Sequence, residues 1–179
     1  MTHPVDVAAQ EQAARVHAAQ VHAALLRRAA TVAVAESLTG GLLGAALTST
    51  PGSSATFRGG LVVYATDLKE TVAGVPGPLL DAEGPVSAHV AAALAAGARD
   101  RLGATYGVGV TGVAGPDPQD GNPVGTVFVA VAGPDDGEVR ALDLPGDRAG
   151  IRSSAVAAAL DLLLVVLSRD GNASASTNV

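Results

Sequence analysis

Two residues of this 179-residue chain combine reactive chemistry with a setting that suits it, Ser37 and Lys69. Ser37 lies in Ala35-Glu36-Ser37-Leu38-Thr39-Gly40-Gly41, between a short β-branched run at 31–35 and a helical stretch from residue 40. In open α/β sheets, ligands sit beyond the carboxyl ends of the strands, and this loop lies at such an end. The N–H groups of a first helical turn lack intrahelical partners and favour negative charge. Adjacent glycines let a ligand approach the backbone closely. A nucleophilic hydroxyl here would have donors for an oxyanion beside it. The same Ser37 and Thr39 also read as ordinary helix caps, with Thr39 as the N-cap.

A serine needs a base. The four histidines, His3, His17, His22 and His89, lie on or before the first helix or in the first turn of a later one. None has an acidic partner in a triad pattern. Lys69 is the only lysine, and the other ten cationic side chains are arginines. Arginine stays protonated, whereas a desolvated lysine can lose its proton and serve a serine as base. Lys69 follows the second predicted strand by one helical turn, so neighbouring strand ends could bring it to Ser37. The bland reading is a surface lysine on a short helix.

Two other patterns imitate sites. Gly107-x-Gly109-x-x-Gly112 fits a dinucleotide-binding spacing, but its glycines fall inside a predicted strand and Pro116 follows where a helix is needed. Asp117 and Asp120 could hold a metal, but aspartates in such loops more often make turns. We expect no metal and no organic cofactor.

The elements that must position these residues follow from periodicity and breakers. Helices are predicted at 5–28, 40–48, 66–74, 87–102 and 151–168, with Thr66 and Ser87 as caps. Strands are predicted at 31–35, 60–65, 106–111, 125–132 and 138–144, with Pro76, Gly77 and Pro78 breaking the chain. Strands separated by helices imply a parallel sheet with helices on both faces, and the last two strands form an antiparallel hairpin. The expected fold is α/β, a three-layer α/β/α sandwich around a mixed, mostly parallel five-stranded sheet. One domain covers 1–169, and 170–179 is expected as a disordered tail.

Composition narrows the function. Apolar residues make up 48% and aromatics 2%, so the core is built from Ala, Val and Leu. Few aromatics and a net charge of -6 speak against a nucleic-acid partner. No apolar run reaches the roughly 18–20 residues that span a bilayer, so no membrane partner is expected. The absence of cysteine removes disulfides and thiolate chemistry and fits a cytoplasmic location. A homo-oligomer, a dimer at the simplest, is expected.

Together the motifs resemble the CinA C-terminal domain family, which includes stand-alone nicotinamide-nucleotide amidohydrolases. They are Ala35-Glu36-Ser37-x-Thr39-Gly40-Gly41, Pro51-Gly52-Ser53-Ser54, Tyr64 with Lys69 five positions on, and Gly84-x-Val86-Ser87. Thr111-Gly112-x-Ala114-Gly115-Pro116, Pro123-Val124-Gly125-Thr126 and Gly146-Asp147-Arg148-x-x-x-Arg152 complete the set. The resemblance implies hydrolysis of the carboxamide of nicotinamide mononucleotide, with Ser37 as nucleophile and Lys69 as base. It implies that Tyr64, Thr111 and Arg148 lie near the pocket, with Tyr64 and Thr111 in the catalytic group. Substrate contacts are expected from Glu36, Thr39, Gly40, Gly41, Thr66, Gly112, Gly115, Arg148 and Arg152, the two arginines being candidates for the phosphate. The chain departs from the family pattern at Leu38, where Cys is frequent, at Ala65-Thr66 in place of Ser-Asn, and at Asn122 in place of Lys. Two further readings remain: a non-catalytic pyridine-nucleotide-binding or regulatory module, and an amidase of another small amide.

Overall fold

The β-branched and alanine-rich run Val32–Glu36 forms β1, buried along its whole length. In the computed structural model, which describes residues 7–134 and 136–176 and side chains through residue 170, this strand is near the sheet's centre. The sheet order is β2-β1-β3-β4-β5, with β2 at Phe57–Val62, β3 at Tyr106–Gly112, β4 at Thr126–Ala132 and β5 at Gly137–Asp143. β1 pairs in parallel with β2 and β3, whereas β4 runs antiparallel to both β3 and β5. Four strands therefore share one direction, as the mixed, mostly parallel expectation required.

Helix α1 (Val7–Arg27), α2 (Leu42–Thr48) and α6 (Arg148–Ser176) cover one face. On the other lie α3 (Thr66–Thr71), α4 (Gly77–Glu83) and α5 (Ala88–Leu102), giving three layers. Leu25, Leu43, Ile151, Leu160, Leu162 and Leu163 fill the first interface. The second is thinner, because α5 lies close against β3. A Cβ on Gly107 would stand 1.9 Å from the Ala95 carbonyl oxygen, and one on Gly109 would stand 2.3 Å from that of Ala91. The glycine spacing that imitated a dinucleotide loop is thus a packing device.

Several boundaries differ from the expectation. α4 forms where Pro-Gly-Pro predicted a break, because proline is at home in a first helical turn. β2 begins three residues early, through Gly59 and Gly60, which pair with Ala33 and Val34. α6 begins at Arg148 and continues beyond the predicted end to Ser176, so the expected disordered tail is helical in backbone over 170–176. The remainder of that expectation, 177–179, lies outside the described residues, as does His3. The stretch Arg148–Asp170 is long and apolar enough to cross a membrane by length and composition, which the sequence reading did not anticipate. Its window is 61% buried inside the fold, as befits a core helix against α1 and the sheet.

Candidate active site

At the carboxyl end of β1 the chain leaves the sheet through Ser37, whose N–H still donates to the Val110 carbonyl at 3.0 Å. Ser37 thereby stays in line with β1 beside β3. Next to it β2 ends at Val62, and Val63 continues the pairing by donating to the Glu36 carbonyl at 2.8 Å. α3 starts three residues later and carries Lys69 back over this junction. The parallel pairing of β1 and β2 thus joins residues 32 positions apart: Lys69 Nζ lies 3.0 Å from Ser37 Oγ.

Lys69 is 2% exposed and Ser37 8%. Among the described residues no carboxylate forms an ion pair with the amine. Its other neighbours are carbonyl oxygens, Val63 O at 2.9 Å and Tyr64 O at 3.4 Å. Loss of hydration lowers its pKa from 10.5 to about 8. A neutral amine has two N–H donors and one lone pair. With the donors on Val63 and Tyr64, the lone pair is left for the Ser37 O–H. This arrangement can remove a proton from a serine near neutral pH.

The pair opens into a cavity of about 220 Å³. Of the expected residues, Ser37, Lys69, Tyr64, Thr66, Thr111, Gly112, Gly115 and Arg148 line it. Thr111 is fully buried, and its hydroxyl donates to the Pro85 carbonyl at 2.6 Å. Tyr64 is 59% exposed at the rim rather than a buried strand tyrosine. Arg148 donates to the Tyr64 hydroxyl at 3.0 Å and to the Gly115 carbonyl at 2.7 Å, placing a cation at the opening. It makes no ion pair with Asp147, whose carboxylate accepts from the Gly150 N–H instead. Thr66 is the first residue of α3 rather than its cap, which is Ala65.

Glu36, Thr39, Gly40, Gly41 and Arg152 do not line the cavity, against the expectation that they contact substrate. They build the turn behind Ser37. The Glu36 carboxylate, 1% exposed, accepts from the N–H groups of Gly41, Leu43 and Gly44 at 3.0, 3.1 and 2.8 Å. It occupies the positive end of α2 that sequence reasoning assigned to an oxyanion. Thr39 does not cap α2, whose N-cap is Gly41 in a left-handed conformation, and its buried hydroxyl oxygen has no partner among the described residues. Gly40 N–H is engaged by the Ser37 carbonyl at 3.1 Å. Arg152 donates to the carbonyls of Leu38 and Thr39, each at 2.9 Å.

The lining also includes Pro85, Val86, Val113, Ala114, Asp117 and Gln119, which sequence reasoning did not assign to the site. Their shared signal is position, in the loops at the carboxyl end of β3 and at the start of α5. None of the described histidines lines the cavity: His22 pairs with Thr56 and His89 with Glu83. A second cavity of about 220 Å³ lies between α1, α2 and α6. No lysine–serine pair faces it.

Comparison with known proteins identifies the family and the fold. The model of the CinA C-terminal domain matches residues 14–167. A CinA-like protein of Frankia casuarinae is 56% identical over 153 residues, covering 86% of this chain and 35% of the relative. Another from an Anaeromyxobacter species is 51% identical over 148 residues, with 80% and 35% covered. The chain spans about a third of the length of these curated relatives. Among solved structures, a CinA superfamily protein of Klebsiella pneumoniae superposes with a TM-score of 0.84 at 29% identity, covering 87% of this chain and 98% of that one. The competence/damage-inducible protein CihA of Agrobacterium tumefaciens gives 0.81 at 33% identity, with 94% and 99% covered. On the match across 14–167 and on these relatives, the chain belongs to the CinA C-terminal domain family.

Proposed function

We propose that the chain hydrolyses the carboxamide of nicotinamide mononucleotide to nicotinate mononucleotide and ammonia, with Ser37 as nucleophile and neutral Lys69 as base. The observation that carries this reading is the 3.0 Å contact between a buried amine and a serine hydroxyl. The family's resemblance to nicotinamide-nucleotide amidohydrolases supports the choice of substrate.

Ser37 Oγ attacks the carboxamide carbon while its proton passes to the lone pair of Lys69. The Val63 and Tyr64 carbonyls hold the amine during the transfer and accept from the ammonium that results. Lys69 then gives the proton to the amide nitrogen, and the C–N bond breaks to release ammonia. A water molecule, deprotonated by the same lysine, attacks the acyl carbon; the bond to Ser37 Oγ breaks, Oγ takes the proton back from Lys69, and the acid is freed. Arg148 at the rim is the cation placed to meet the substrate's phosphate. We further propose a cytoplasmic homo-oligomer, with Val62, Tyr64, Leu68 and Val72 as exposed apolar side chains on or near the β2 edge. Light scattering in solution tests the assembly.

The substrate is tested by ammonia release from nicotinamide mononucleotide, nicotinamide riboside and free nicotinamide. The reading predicts the highest kcat/KM for the nucleotide. It also predicts that Arg148→Gln narrows the gap between nucleotide and riboside. Equal rates on all three amides would remove the nucleotide from the proposal.

A further inference from the structure

The turn carrying Ser37 is held by two charged side chains, neither of which reaches the cavity. Glu36 occupies the N–H groups of Gly41, Leu43 and Gly44, and Gly40 N–H is bonded within the turn. The N–H groups of Leu38 and Thr39 donate to no acceptor among the described residues. Both lie within two residues of the nucleophile. Arg152 reaches across from α6 with its Nε on the Leu38 carbonyl and a terminal nitrogen on that of Thr39. No carboxylate pairs with this guanidinium among the described residues.

Peptide geometry makes that anchor directional. The Leu38–Thr39 bond is trans, since the cis bond found is Gly115–Pro116. In a trans peptide the carbonyl and the following N–H point in opposite directions. Fixing the Leu38 carbonyl on Arg152 therefore turns the Thr39 N–H away from α6. Leu38 lines the cavity, although its side chain is buried in the core shared with α1 and α6.

Resting on the amidohydrolase reading, we infer that Arg152 is a positioning residue of the reaction. By holding the Leu38 carbonyl, with the Thr39 carbonyl as a second brace on the turn, it leaves the Thr39 N–H aimed at the oxyanion formed when Ser37 attacks, beside the Leu38 N–H, whose own peptide is held by the Ser37 carbonyl accepting from Gly40 N–H. It is not a phosphate contact. Donors in such positions matter most in the transition state, so loss of the anchor lowers kcat more than it raises KM.

The test compares wild type with Arg152→Gln, which removes the charge, and Arg152→Lys, which keeps the charge but cannot span both carbonyls. A melting curve for each variant establishes that it is folded. For Arg152→Gln, kcat is expected to fall roughly 10²-fold on nicotinamide mononucleotide and on nicotinamide riboside alike, with KM within about threefold. Arg152→Lys is expected to be intermediate. A second readout needs no amide substrate: a fluorophosphonate phosphonylates Ser37 Oγ, fluoride leaves, and Lys69 takes the proton. Intact-mass kinetics should show the same slowing. A defect confined to KM for the phosphate-bearing substrate overturns the inference, as does wild-type labelling of Ser37 in either folded variant. Slowed labelling in a protein that releases no ammonia from either amide supports the positioning role and removes the substrate reading.

Discussion

Lys69 and Ser37 meet at 3.0 Å, although they lie on different elements and the lysine is the less exposed of the two. Among the described residues this sealed amine has no anion to keep it charged. Its own solvation loss lowers its pKa to about 8, and the sheet pairing of β1 with β2 sets it against the serine hydroxyl.

The first consequence is a pH dependence. Only neutral Lys69 can accept the Ser37 proton, and its pKa is about 8. The kcat/KM for amide hydrolysis should rise with pH, with an apparent pKa near that value, and fall about tenfold per pH unit well below it. Initial rates from pH 5.5 to 9.5 check this, and a flat profile across that range would exclude a titrating lysine base.

Burial of the amine should also destabilise the fold where it is protonated. Between pH 8 and 10.5 the unfolded chain holds a proton that the folded chain has released, so stability rises with pH across that window. Below pH 8 the full cost, about 3 kcal/mol, is present. Lys69→Met should therefore gain stability relative to wild type at pH 7 and lose most of that advantage by pH 10.5, while being inactive. Urea melts of both proteins at the two pH values measure the difference. An advantage independent of pH would contradict the buried-amine account.

Glu36 makes a separate prediction about stability. Glu36→Ala leaves three N–H groups at the start of α2 without their acceptor, at a cost of about 2–4 kcal/mol. Glu36→Gln keeps one acceptor oxygen and should cost less. Denaturant melts rank the two, and equal losses would argue against a capping role.

Gly109→Ala would place a Cβ 2.3 Å from the Ala91 carbonyl oxygen, so α5 must lift from β3. A loss of about 3 kcal/mol or more is expected, or failure to accumulate as folded protein. A melting temperature unchanged by the substitution would show that the glycine spacing is not there for packing.

The sequence made some of this legible for identifiable reasons. Ser37 stood out by its place between strand and helix, and Lys69 by being the one lysine among arginines. The layers followed from alternating strands and helices. Other features carry no side-chain signal. The Val63 and Tyr64 carbonyls that orient the amine are backbone atoms, which any residue would supply. Glu36 read as part of a binding loop because nothing in its type shows that it folds back onto α2. Arg148 and Arg152 lie one helical turn apart and look alike in sequence. Only the depth of each in the fold sends one to the rim and the other behind Ser37. Pro76 to Pro78 looked like a break because the same proline that ends one helix can begin another.

The central claim is tested most directly by single-turnover ammonia release from nicotinamide mononucleotide, comparing wild type, Ser37→Ala and Lys69→Ala at pH 8. The account predicts that each substitution reduces the rate by at least roughly 10³-fold, and that the double variant is scarcely slower than either single one. Ammonia release by Ser37→Ala at a rate close to wild type would contradict it.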